Sequence, residues 1–160
     1  VEIDKKGWNW RGHGYFDSNF GTRALEQDFS YWTWSRLVCK DGSIALYDAD
    51  RRKDVPLNVS LKFHSNGQIE EIMAPPETLL PRSLWAMKRR TRSDKGYKPT
   101  QVKHMLDAPF YTRSGIKTKI YGEEVTGVHE ALDLNRFSSP FLKPMLALRV
   151  PRTTRWKGRQ

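Results

Sequence analysis

The sequence predicts an all-β protein with antiparallel strands, built as a barrel or a sandwich. Three observations carry that expectation. Short runs rich in β-branched and aromatic residues alternate polar and apolar positions, the period of a half-buried strand. Turn pairs such as Asp41-Gly42 and Asn66-Gly67 separate those runs at hairpin spacing. Almost no stretch has helical periodicity, so tight turns joining short strands are the building material.

Taken in order, Gly12 to Asn19 alternates and is predicted as a strand. His13, Tyr15, Asp17 and Asn19 share one face; Gly14, Phe16 and Ser18 share the other. Asn19 to Thr22 is a turn. Phe29 to Val38 (FSYWTWSRLV) is aromatic-rich, lacks a breaker and reads as a strong strand. Lys40-Asp41-Gly42 turns it into Ser43 to Tyr47. Leu57 to Phe63 alternates, and Ser65-Asn66-Gly67 turns it into Gln68 to Ile72. Pro75, Pro76 and Pro81 predict an irregular crossing, because proline cannot donate to a ladder. Strands follow at Ser83 to Arg92, Tyr97 to Val102 and Tyr111 to Tyr121; Gly122-Glu123 turns the last into Val125 to Leu134. Asn135 to Leu148, interrupted by Pro140 and Pro144, reads as a short helix or as a surface-lying apolar segment. The sum is about eight or nine strands. No linker or repeat divides the chain, so residues 1–150 form one domain and 151–160 a basic tail.

Composition narrows the function. The chain has 160 residues, six tryptophans and 12% aromatic residues, which argues against disorder. The lone Cys39 excludes a disulfide framework and a multi-cysteine zinc site, and it reads as incidental. No run of 18 apolar residues exists, and Val1 opens no signal-peptide pattern. The net charge is +10, from 28 Lys and Arg against 18 Asp and Glu. It is concentrated in Arg82 to Lys103 and in Lys143 to Gln160, the second without an acid. Such patches attract anionic lipid, an acidic partner or nucleic acid. No helix-turn-helix, zinc-finger or RNA-binding signature accompanies them, which sets nucleic acid behind the others.

For chemistry, the histidines at 13, 64, 104 and 129 lack ligand spacing, and no glycine-rich phosphate loop, HExxH or paired CxxC occurs. Neither metal nor cofactor is expected. The informative region is Trp8 to Trp34, where a polar strand face is flanked by Trp8, Trp10, Phe16, Phe20, Phe29, Tyr31, Trp32 and Trp34. Turned into an aromatic-walled lumen, Asp17 would be desolvated, kept protonated and able to act as a general acid. The same residues also suit a structural hydrogen-bond network near a turn.

The block GHGYFDSNFGTRALEQDFSYWTWSRL resembles the motif region of the carotenoid 1,2-hydratases, or hydroxyneurosporene synthases. The resemblance continues through ALYDADRR, LPRSLW, DAPFYTRS, VTGVHEALDLNRF and SPFLKPMLALRVPR. It implies a lipocalin-like β-barrel, the C-terminal half of a larger two-barrel protein. It also implies water addition to the terminal C1–C2 double bond of acyclic carotenoids of the neurosporene and lycopene type, without a cofactor. The family's Tyr-x-Asp motif falls on Tyr15-Phe16-Asp17, making Asp17 the expected acid and Tyr15 its catalytic neighbour. The π faces of Tyr15, Trp32 or Trp34 are expected to stabilise a carbocation, and His13 or Asn19 to position water. The family's His-x-Trp pair has no counterpart here, so an N-terminal barrel, as a separate chain or a missing portion, is an expected partner. Phe137 to Val150, apolar and edged by Lys143, Arg149 and Arg152, implies peripheral contact with an anionic membrane on its cytoplasmic face. The rival expectation is a non-catalytic lipocalin-like subunit that binds a carotenoid or lipid, or scaffolds a membrane complex; a third is a related barrel enzyme acting on another isoprenoid or a polyketide.

Overall fold

The computed structural model describes the backbone of residues 2–5 and 8–11, residues 15–142, and residue 144. Among them are β1 (Glu2–Lys5), β2 (Trp8–Arg11), α1 (Leu25–Asp28), β3 (Phe29–Cys39), β4 (Gly42–Arg51), β5 (Leu57–Phe63) and β6 (Ile69–Glu71). There follow β7 (Glu77–Leu80), β8 (Arg89–Arg92), β9 (Thr100–Asp107), β10 (Tyr111–Ile120), β11 (Glu123–Asp133) and α2 (Leu134–Phe137). Seven strands make one antiparallel sheet in the order β6-β5-β4-β3-β11-β10-β9. The expected all-β antiparallel class holds. Among the described residues the sheet is open, with β6 and β9 as its edges.

The hairpins are fixed by turn chemistry. Gly42 closes β3 onto β4 at a φ of 107°, and a Cβ there would stand 1.8 Å from the Phe63 carbonyl oxygen. Only glycine meets both the left-handed backbone and that approach. The alternation of β3 then sorts its side chains: Thr33, Ser35 and Leu37 are buried on one face, while Trp32, Trp34 and Arg36 lie half-buried on the other.

The apolar core sits on the first face. Leu37, Ile44, Leu46, Ile116, Ile120 and Val125 pack together with Leu80. Leu80 comes from the β7–β8 ribbon, which lies against this face through a polar seam. Ser35 Oγ is 2.9 Å from His129 Nδ1 and 3.4 Å from Thr91 Oγ1, and Thr118 Oγ1 donates to the Arg92 carbonyl at 3.0 Å. Arg92 grips Asp48 at 2.6 and 3.1 Å.

Several expectations change. The segment between the prolines carries β7, because a two-stranded ribbon accepts proline at its ends. The strand expected over Ser83 to Arg92 contracts to Arg89–Arg92, since Ser83 to Met87 turns with Ala86 at a φ of 55°. The strand after Gly96 begins at Thr100, beyond Pro99. Most important for function, residues 15–20 form no strand. Alternation supplies a pattern but not a partner, and both edges of β3 are already taken by β4 and β11. Residues 12–14, Met145 to Val150 and the basic tail lie outside the described residues. No helix among the described residues is long and apolar enough to cross a membrane.

Candidate functional site

The second face of the sheet carries a row of four paired residues. Tyr47 on β4 faces Trp34 on β3, Trp34 faces Glu130 on β11, and Glu130 faces Arg113 on β10. Trp32 sits two residues from Trp34 on the same face, and its ring stacks on Tyr47 with centroids 5.9 Å apart. The floor is therefore aromatic at one end and charged at the other.

The irregular segment after residue 14 crosses this floor. The Tyr15 ring packs on Trp34 at 5.2 Å, and the Arg36 guanidinium lies 5.2 Å from the Tyr15 centroid. Tyr15, Asp17, Asn19 and Leu25, with the floor residues Trp32, Trp34, Tyr47, Arg113 and Glu130, line a cleft of about 340 Å³. Five of the six expected site residues thus come together: Tyr15, Asp17, Asn19, Trp32 and Trp34 line one cleft. His13 lies outside the described residues.

The shared strand face expected for Tyr15, Asp17 and Asn19 is corrected to a shared loop above the sheet. Asp17 is exposed, not enclosed by aromatic walls, because that loop lies across the open face. Burial pushes the Tyr15 hydroxyl above its ordinary pKa, and the neighbouring Asp17 charge acts in the same direction. Tyr15 is therefore a neutral hydrogen-bonding group beside the carboxyl. Trp32 Nε1 is a buried donor with no acceptor among the described residues.

Sequence reasoning missed Tyr47, Arg113 and Glu130. Glu130 Oε1 is 3.3 Å from Arg113 Nε, and its side chain is largely covered. Burial raises the Tyr111 hydroxyl, with the Glu130 charge adding to the rise. The signal for these three was strand pairing, which no single segment displays. Among the described residues no group of three or more His, Cys, Asp or Glu side chains is arranged to hold a metal ion.

The fold and the site define an antiparallel β protein with an aromatic-floored cleft and a carboxyl on the loop above it. The comparisons give that class a family. The family model described as "Carotenoid hydratase CrtC" matches residues 1–159, and the chain belongs to that family. The chain is 50% identical over 157 residues to the acyclic carotenoid 1,2-hydratase of Cereibacter sphaeroides, covering 98% of this chain and 56% of that protein. It is 50% identical over 159 residues to the Rhodobacter capsulatus protein of the same name, covering 98% and 57%. The Thiocapsa roseopersicina protein of that name is 40% identical over 153 residues, with 95% and 38% covered. The chain therefore spans a little over half the length of the first two relatives. No solved structure matches it.

Proposed function

We propose that this chain supplies the acid-bearing part of an acyclic carotenoid 1,2-hydratase, a hydro-lyase working through side chains alone. The observation that carries the reading is Tyr15 and Asp17 poised over Trp34, Trp32 and Tyr47 in one cleft. A polyene laid on that floor covers Asp17 and removes its water, which favours the neutral acid. The carboxyl proton passes to C2 of the terminal double bond. The π electrons form the new C–H bond and leave a tertiary cation at C1. Trp34 and Tyr15 present ring faces to that cation. Water bonds to C1, and the resulting oxonium loses a proton to a carboxylate. Glu130, held in place by Arg113, is available for that step, and exchange with solvent water then returns a proton to Asp17 and removes the one on Glu130. Asn19 is placed to orient the water.

The lipocalin-like barrel belongs to this reading as well. The half-exposed face with Trp32, Trp34, Tyr47, Val59 and Leu61 would become a lumen once further chain closes over it. Residues 1–150 would then be the C-terminal half of a two-barrel protein that is peripheral to an anionic membrane on its cytoplasmic side. The exposure of Asp17 favours one other reading, a subunit that binds a carotenoid without turning it over.

One substitution separates the two. Asp17→Asn in the full natural polypeptide should lower formation of the tertiary alcohol by about 10²–10⁴-fold, read by chromatography after incubation with neurosporene or lycopene. Fold and pigment binding should persist. Undiminished turnover would remove Asp17 from the acid role. Bound pigment with no alcohol, even from the unsubstituted protein, would establish the binding subunit.

A further inference from the structure

The hairpin between β7 and β8 is held by many hydrogen bonds, yet it presents Leu84 and Trp85 to solvent. Its backbone is tied at four points. Leu84 N donates to Asp107 Oδ2 at 2.7 Å, Arg136 Nη1 donates to the Trp85 carbonyl at 2.8 Å, Tyr31 Oη donates to the Lys88 carbonyl at 2.7 Å, and Arg89 Nε donates to the Pro81 carbonyl at 2.8 Å. Met87 is buried beneath as an anchor. Ala86 sits at a φ of 55°, a region that residues with a Cβ enter only at a cost. All this order is spent on a tip where Leu84 is 85% exposed and Trp85 48% exposed. A loop that only joined two strands would need neither the pins nor the exposed leucine and tryptophan.

The surroundings say what covers the tip. Arg82 and Lys88 flank it, both exposed, and no acid lies between them. Arg136 stands against it from α2, and Phe141, 91% exposed, follows α2. An apolar tip carrying a tryptophan between two exposed cations complements an anionic lipid surface, where the rings enter the headgroup layer and the cations meet phosphate. An acidic protein groove would need only the cations.

The tip meets the end of the sheet at which β3 begins, on the face opposite the cleft. Leu25 lines the cleft at the start of α1. The Arg52 side chain bridges α1 to α2 through the Glu26 carbonyl and Asn135 Oδ1, both at 2.8 Å. Arg136, the next residue, holds Trp85. One continuous set of contacts therefore links the cleft to the hairpin tip.

We infer that the Leu84-Trp85 hairpin docks this protein on anionic lipid. The inference rests on the peripheral-membrane part of the proposed function and is independent of hydration. It adds the β7–β8 hairpin to the membrane contact expected of Phe137 to Val150.

The test is flotation of the full natural polypeptide with phosphatidylcholine vesicles, with and without phosphatidylglycerol, at low and high salt. Three forms are compared: unsubstituted, Leu84→Ser/Trp85→Ser, and Arg82→Gln/Lys88→Gln, which keeps a donor for the Ala86 carbonyl. The unsubstituted protein should float with phosphatidylglycerol vesicles and be released by salt. Each double variant should lose about tenfold in vesicle affinity with unchanged circular dichroism, since the changed side chains are exposed. If the unsubstituted protein floats and the variants float equally, the hairpin is not the contact, while the membrane reading stands. If the unsubstituted protein does not float, both fall. If the variants change oligomeric state instead of flotation, the tip is a protein contact and the inference is overturned.

Discussion

Replacing Asp48 by Asn tests the claim that a buried ion pair, not apolar packing alone, seats the β7–β8 ribbon on the sheet. Arg92 meets Asp48 through two parallel contacts, Nη2–Oδ1 at 2.6 Å and Nε–Oδ2 at 3.1 Å. The side chains are 18% and 12% exposed, so water screens the pair little. Asn58 Nδ2 donates to the same carboxylate at 2.7 Å. An amide at position 48 keeps the shape but removes the charge, and its NH2 must then face a donor. Arg92 would be left with the Pro75 carbonyl, 2.9 Å from Nη1. Breaking one side of a buried pair costs about 3–5 kcal/mol, and the residual exposure here places the loss near the lower end, ~3 kcal/mol. For a domain of this size that corresponds to a fall in Tm of about 6–12 °C. The assay is urea unfolding followed by tryptophan fluorescence, with the m-value checked for constancy. Adding Arg92→Met to Asp48→Asn should recover about 1.5 kcal/mol or more, because the orphaned cation is gone. A single-variant loss under about 0.5 kcal/mol, or strictly additive losses, would refute the reasoning.

Two further outcomes follow from the buried and cleft-lining groups. Burial, assisted by nearby Arg89, pushes the His129 pKa down to about 3, whereas an exposed histidine titrates near 6.5. The unfolded chain therefore takes up the proton first, so this contribution to stability is complete above about pH 6.5 and drains away as pH falls toward about 3. His129→Asn should flatten the dependence of unfolding free energy on pH across that window; parallel curves for the two proteins would refute the assignment. Glu130→Gln should lower hydration by about 10²-fold or more while leaving polyene quenching of tryptophan fluorescence intact. Loss of quenching would make Glu130 a binding group instead of a proton acceptor.

Much of the fold is legible in the sequence because hairpins are local. Asp41-Gly42 and Asn66-Gly67 mark their turns, and β5 falls on the predicted Leu57 to Phe63. The short β7 was hidden by its prolines, and α1 by its single turn. The N-cap of α2 was readable in retrospect: the Asp133 carboxylate accepts from the backbone of Asn135 and Arg136 at 3.1 and 3.0 Å. Of the cleft, the Tyr15-Phe16-Asp17 motif and the tryptophans stood out by composition. Glu130 and Arg113 did not, because they reach Trp34 only through the register of β11 and β10. The alternation at residues 15–19 misled because a loop can alternate by chance, and only a ladder makes the pattern structural.

The sheet keeps its two tasks on opposite faces. Leu37 and Ile116, both fully buried, hold the fold from one side, while Trp34 and Tyr47 floor the cleft from the other. Successive residues of the same strand thus answer to different selective demands. Substitutions on the cleft face leave the packing of Leu37 and Ile116 in place. Such a scaffold is evolvable in a specific sense: its specificity can be rewritten at every second position while the intervening positions stay fixed.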